Sequence, residues 1–394
     1  MTSPLDSKNS RPTPFPWAFG LAGLSAIGVG VGFGRFSFTQ FIPPLVTNHW
    51  FTAGQAAYLG SANLAGYLFG SLVAAWLARH FSVPWLIRLS MLTTALGFLL
   101  CAHPGSFLWF ASWRFALGVA GAILMILAAP TLLAQAPEST RHPLRGLIFT
   151  GLGLGIVFSA TALPLLLGIG LSNAWIGIGA ISLLLTLGFW GVWPPPVSIL
   201  NASNPALQMT RPAWVLLLLY CASATGLVPC TVFWVDYIAR GLRLGMGPAS
   251  FDWILFGIGS TLGPFLAGWI APKIGYQPGI LLSLSGMAIS NLIAIFFQNS
   301  FALAVSSLGI GTLAMCVVSL VLGRTGQLAG LAGQRELWGW MTAAFSLAQA
   351  LMAYLFSYLF AHTGSYHLLF AISAGVLAAG VLLGIWDSRK PQAG

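Results

Sequence analysis

The chain has 394 residues, 57% of them hydrophobic and only 6% charged, whereas a water-soluble domain carries about 25% charged residues to wet its surface, so a soluble globular protein is excluded. Sixteen Lys and Arg against six Asp and Glu give a net charge of +10, but these bases are scattered between apolar runs and build no soluble basic face, which excludes a nucleic-acid partner. Cys101, Cys221, Cys230 and Cys316 all sit inside apolar runs without disulfide or metal spacing.

In chain order, residues 1–14 are polar and Pro-containing, carry no cleavage signature, and read as a disordered cytoplasmic tail. Apolar runs then recur at 17–45, 53–78, 84–102, 106–134, 145–170 and 174–193. Residues 194–211 hold Pro194, Pro195, Pro196 and Pro205 among Ser and Asn, the composition of a loop. Six more runs follow at 212–237, 251–271, 278–297, 300–322, 336–361 and 367–386, before a short tail at 388–394. Each run is long enough to cross a hydrocarbon core of about 30 Å as a helix, and all are about twice the length of a barrel strand. The expectation is an all-α membrane protein with twelve transmembrane helices in two pseudo-symmetric six-helix bundles, 15–193 and 212–387, joined by the 194–211 linker.

Orientation follows from the bases. With a cytoplasmic amino terminus, the inner segments carry Lys8, Arg11, Arg79, Arg88, Arg141, Arg145, Arg211, Lys273, Arg324, Arg335, Arg389 and Lys390, and the outer ones only Arg240 and Arg243. Both termini are therefore expected in the cytoplasm. The halves also repeat. A shift of 193 residues lays Gly66, Gly70, Trp76, Ala78 and Ser90 on Gly259, Gly263, Trp269, Ala271 and Ser283, and a shift of 192 lays Gly34, Thr39 and Phe41 on Gly226, Thr231 and Phe233. Duplicated bundles of this kind flank a site near the midplane.

Arg114-Phe-Ala-Leu-Gly118-Val-Ala-Gly121-Ala122 resembles the fourth-helix motif of the major facilitator superfamily, and the glycines from Gly146 to Gly155 resemble its fifth helix. The loop after the second span departs from the superfamily's pattern: Ala75-Trp-Leu-Ala-Arg79-His80-Phe-Ser82 lacks the usual aspartate and glycine. Within that superfamily three segments resemble the YbfB/YjiJ-like branch: Gly32-Phe-Gly-Arg35-Phe-Ser-Phe-Thr39 with Pro43, Ser61-Ala-Asn63-Leu-Ala-Gly66-Tyr67-Leu-Phe-Gly70, and Ala344-Phe-Ser-Leu-Ala-Gln349. The resemblance implies a transporter and names no substrate.

Depth singles out two bases. Arg35 lies about eight residues before the outer end of the first span and Arg114 about eight after the outer start of the fourth, so both sit roughly 12 Å below the outer surface. A charge there costs about 2.5–3.5 kcal/mol unless it faces a cavity or a partner. No acid falls within the hydrocarbon depth of the first six spans: Asp236 and Asp252 border the outer loop after the seventh, and the rest are cytoplasmic or begin span eleven. The arginines therefore either brace the bundle through helix carbonyls or hold an anionic solute with their planar forks. Gly28, Gly32, Arg35 and Thr39 fall on one α-helical stripe; Asn63 and Tyr67 share a face, as do Thr342, Ser346 and Gln349.

The expected substrate-binding residues are Arg35, Thr39, Asn63, Tyr67, Arg114 and Gln349. Asp236 and Arg240, four residues apart at the outer end of span seven, are either a gating or coupling pair or an ordinary helical ion pair. The run GVGVGFG lies in mid-span and reads as a packing or hinge segment, not a nucleotide loop. The six histidines lie in or beside loops and form no metal or catalytic set, so neither cofactor nor enzyme chemistry is expected. The expected function is secondary transport of a small organic anion by alternating access, in a bacterial inner membrane and as a monomer, with the solute and the lipid bilayer as partners. Proton-coupled efflux of lipophilic or aromatic compounds is the alternative.

Overall fold

The computed structural model describes residues 16–194 and 209–389; residues 1–15, with the expected amino-terminal tail, residues 195–208 of the linker, and residues 390–394 of the carboxy-terminal tail lie outside the described residues. The side chains of Glu138, Arg141, Arg145, Arg335 and Glu336 lie outside them too. Twelve helices are long and apolar enough to cross a membrane: α1 Trp17–Thr47, α2 Ala53–His80, α3 Val83–Leu100, α4 Phe107–Gln135, α5 Gly146–Ile169, α6 Leu171–Gly188, α7 Arg211–Gly241, α8 Met246–Ile274, α9 Tyr276–Phe296, α10 Ser300–Gly330, α11 Leu337–Thr363 and α12 Tyr366–Ser388. Among the described residues the secondary structure is all helical.

Three expectations about boundaries change. Span ten runs on to Gly330, past the expected end at 322, and the kink that separates it from span eleven falls at that glycine, whose φ of 63° is a backbone conformation that only glycine adopts freely. The sixth helix stops at Gly188, so residues 189–193 lie beyond it. The eighth begins at Met246, not at 251, which puts Asp252 deeper in the helix and buries it instead of leaving it at the border of the outer loop.

The first six helices pack on one another, α2 and α3 against α4 and α1 against α5, and the last six do likewise, α8 and α9 against α10 and α7 against α12. A repeat of 193 residues runs through the contacts themselves. A Cβ on Gly66 would fall 2.0 Å from the carbonyl oxygen of Phe115, and one on Gly259 would fall 2.5 Å from that of Leu308. Gly118 faces the carbonyl of Asn63 as Gly311 faces that of Phe256. Both halves thus bring α2 to α4, and α8 to α10, to backbone contact at equivalent positions, as small residues permit in lipid.

Two helices are locally widened. α1 passes through a π-helical stretch, Gly28–Phe36, in which Ser37 N donates to the Gly32 carbonyl five residues back. α7 has π-helical stretches at Pro229–Phe233 and Tyr237–Gly241. Pro229 offers no backbone N–H, and the glycines of α1, lacking Cβ, restrain the backbone least, so both sequences yield at these points. The widening redistributes the expected stripe. Gly28 and Gly32 face Gly151 and Gly155 of α5, whereas Arg35 turns to α2 and α11 and Thr39 to α7. The four residues do not share one face, because α-helical spacing does not apply through a π-helical segment.

Gly66→Val and its repeat mate Gly259→Val should each lower thermal stability by about 1–3 kcal/mol through overpacking, read as melting of the purified protein in detergent. Gly375→Ala, with nothing within 4 Å of its added Cβ, should melt as the unaltered protein does.

Candidate functional site

The seam between the two six-helix groups is crossed at mid-depth by Arg35. Its Nη2 donates to Gln349 Oε1 of α11 at 2.5 Å, and the guanidinium lies 5.0 Å from the ring centre of Phe36 and 5.1 Å from that of Tyr67. Its Nε and the Gln349 Nε2 are buried without a hydrogen-bond partner. Donors that exchange nothing with their surroundings are costly inside a bundle and are the atoms a ligand's oxygens would satisfy.

Arg114 reaches the same place from α4 but is held differently. It is 1% exposed, its Nη1 donates to the Gly34 carbonyl at 2.8 Å, and its guanidinium stacks 4.0 Å from the Phe38 ring centre. Asn63 ties the same three helices together: its Nδ2 donates to the Arg114 carbonyl at 3.0 Å and to that of Gly34 at 3.4 Å. Arg35, Thr39, Asn63 and Arg114 line one small cavity of about 10 Å³ together with Thr231 and Val232, room for about one water.

Thr39 Oγ1 donates to the Thr231 carbonyl, joining two positions related by the repeat. Ser61 and Ser357 hydroxyls bond at 2.8 Å, and Ser250 Oγ approaches Gln40 Oε1 at 3.5 Å. These bonds between the halves lie at mid-depth or beyond it, on the side away from the chain termini. On α11, Thr342 and Ser346 bond back to their own helix, to the carbonyls of Trp338 and Thr342; of that expected trio Gln349 crosses the seam.

Asp236 and Arg240 stand apart from this cluster. Arg240 grips the Asp236 carboxylate with both Nε (2.5 Å) and Nη2 (2.7 Å), and the Tyr366 hydroxyl of α12 donates to Asp236 Oδ2 at 2.5 Å. The result is a buried clamp between α7 and α12 within the second half. Two further buried groups lie outside the expected set of site residues. Tyr220 of α7 is buried within electrostatic range of Arg35 and Tyr67 and packs on Phe345, with ring centres 4.6 Å apart; a tyrosine in an apolar run gives no sign that it faces inward. The Asp252 side chain, 3% exposed, takes part in neither of the two ion pairs found among the described residues. Among those residues no group of three His, Cys, Asp or Glu is placed to hold a metal.

Twelve apolar helices in two repeated groups, with polar side chains converging on the seam, define a multi-pass membrane transporter of the major facilitator fold. Residues 27–384 match the family MFS_4, described as uncharacterised MFS-type transporter YbfB, and the chain belongs to that family. Among solved structures it is similar to a crystal structure of a bacterial homologue of the human lysosomal transporter Spinster in an inward-facing and occupied conformation. The TM-score is 0.72 at 16% identity, over 97% of this chain and 98% of that one, which is likeness of fold. A search of curated proteins by sequence found no match.

Because Arg114 makes the short bond to the Gly34 carbonyl, which Asn63 meets only at 3.4 Å, Arg114→Ala should lower stability by about 1–3 kcal/mol. Arg35→Ala, whose partner Gln349 can reorient, should melt closer to the unaltered protein. Paired melting curves in one detergent check the order.

Proposed function

We propose that the protein is a secondary transporter for a small organic anion, with Arg35 as its anchor. The observation that carries the reading is a guanidinium at the seam whose hydrogen-bond partner is an amide, with Nε unpaired and no carboxylate bonded to it. A planar cation in a low-dielectric setting attracts a carboxylate or phosphate in fork geometry, and a bound anion supplies the counter-charge that the chain does not. Gln349 and Tyr67 complete the cradle. Thr39 and Asn63 shape its far wall, and Arg114 assists by fixing that wall through Gly34.

Transport then proceeds by alternating access. The seam-crossing bonds of Thr39, Ser61 and Gln40 close the side away from the chain termini; their exchange for contacts at the opposite end would open it. With the termini in the cytoplasm, as the distribution of bases favours, the closed side faces outward. The Asp236–Arg240–Tyr366 clamp keeps α7 and α12 moving together behind that gate. Asp236, already held by two partners, stays out of any proton coupling.

Counterflow of a labelled anion in proteoliposomes, with and without a pH gradient, tests the reading. Arg35→Lys, which keeps the charge and loses the fork, should reduce flux at least about tenfold, the loss of roughly 1.4 kcal/mol of binding, with folding intact by gel filtration. Normal anion flux by a well-expressed Arg35→Ala protein removes Arg35 as the anchor. Flux of lipophilic cations in place of anions favours the efflux alternative.

A further inference from the structure

Resting on the anion reading, we infer that the substrate is an aromatic monocarboxylate, its ring held against Tyr220 and Phe345 and its carboxylate at Arg35 and Gln349. The placement of the cations selects one negative charge. Arg35 is the cation that reaches across the seam, to Gln349; Arg114 also keeps an unpaired Nε, but its Nη1 is bonded to the Gly34 carbonyl within the first half and its face is covered by Phe38. One carboxylate neutralises Arg35. On a ring lying along α11 toward Tyr220 and Phe345, a second carboxylate at the far end would point away from both arginines and be left buried without a partner, which costs far more than it returns.

The hydrogen-bonding pattern agrees. Arg35 Nε and Gln349 Nε2 are both donors without acceptors, so the ligand end that meets them must be rich in acceptors and carry no donor of its own. A carboxylate oxygen pair matches Arg35 Nε and Nη2 side by side once Nη2 releases Gln349, and the freed amide then turns its N–H toward the same group.

The aromatic half of the inference comes from α11. Trp338, Thr342, Phe345 and Gln349 succeed one another at intervals of four, three and four, one face of a helix. That face leads from the end bearing the chain termini to the Arg35 partner. Phe345 and Trp338 are half-buried, and both rings meet Tyr220, at 4.6 and 6.0 Å between centres. Tyr67 lies beyond, its ring already against the Arg35 guanidinium. A flat ring entering along this face meets aromatic surface up to the point where its carboxylate reaches the cation, and ring pairs add about 0.5–1.5 kcal/mol beyond area burial.

Equilibrium binding to the full-length protein in detergent, read as tryptophan fluorescence and as competition in counterflow, tests this with four probes. They are benzoate, cyclohexanecarboxylate, terephthalate and benzylammonium. Benzoate should bind up to about tenfold more tightly than its saturated counterpart, and more tightly still than the dianion. Phe345→Leu should weaken benzoate more than cyclohexanecarboxylate and so erase the preference between them, and Tyr220→Phe, which keeps the ring, should retain it; gel filtration confirms that both variants fold. Equal affinity for the two monoanions, or preference for terephthalate, overturns the inference while Arg35-dependent anion binding still stands. Binding of benzylammonium alone, or of no anion in an Arg35-dependent way, overturns the anion reading together with it.

Discussion

A guanidinium cannot stay at hydrocarbon depth unless something answers its charge, and this chain answers without a single carboxylate in the spans of its first half. Arg114 is held by a backbone carbonyl and an aromatic face, and Arg35 by an amide and two rings. The difference between the two decides their roles. Arg114 is enclosed within α1, α2 and α4 of one half, so its bonds survive any movement of that half as a body. Arg35 reaches across to the other half, so its bond is broken or remade whenever the halves shift.

The scaffold around these residues is symmetric while the polar equipment is not. Gly66 and Gly118 are matched by Gly259 and Gly311 in residue and in contact, but Arg114 is replaced by Ser307 and Asn63 by Phe256 one repeat later. In the second half Ser307 donates to the Asp252 carbonyl, and Asn291 of α9 reaches the Gly226 carbonyl, the mate of Gly34. The duplicated element is thus the close helix contact, which fixes the bundle. The cation belongs to one copy alone, which makes the seam asymmetric: a guanidinium on the first-half side, an amide and aromatic rings on the second.

Much of this is legible in the amino-acid sequence. Apolar run length locates the twelve helices, and glycines at matching offsets expose the repeat, because both signals are local in the chain. The depth of Arg35 and Arg114 follows from counting along their spans. Their division of labour does not, since it turns on the Gly34 carbonyl and on Gln349, 314 residues away from Arg35. The stripe through Gly28, Gly32, Arg35 and Thr39 misleads because α-helical spacing does not hold where the backbone is π-helical. Asp252 is misplaced for a simpler reason: helix α8 starts five residues before the apolar run does. Tyr220 cannot be singled out, because facing inward is a property of the packed bundle and not of the apolar run that contains it.

The energies at the seam differ in kind from those inside each half. Within a half, backbones touch at the glycine crossings, and a displacement of even part of an ångström meets hard repulsion. Across the seam the described side-chain bonds are neutral or join one charge to an amide, each worth about 0.5–3 kcal/mol net, and no ion pair among the described residues spans it. Opposite-charge pairs would bind the halves more firmly in one arrangement and leave a heavy penalty in the other. Bonds of hydroxyl to carbonyl and hydroxyl to hydroxyl can be exchanged for equivalents elsewhere at little cost. The π-helical stretches of α1 and α7 lie at this boundary, with Thr39 bonded to Thr231 of the second stretch. A molecule made of two stiff halves and a compliant seam deforms at the seam, and a ligand that bonds Arg35 and Gln349 together acts where the resistance is lowest.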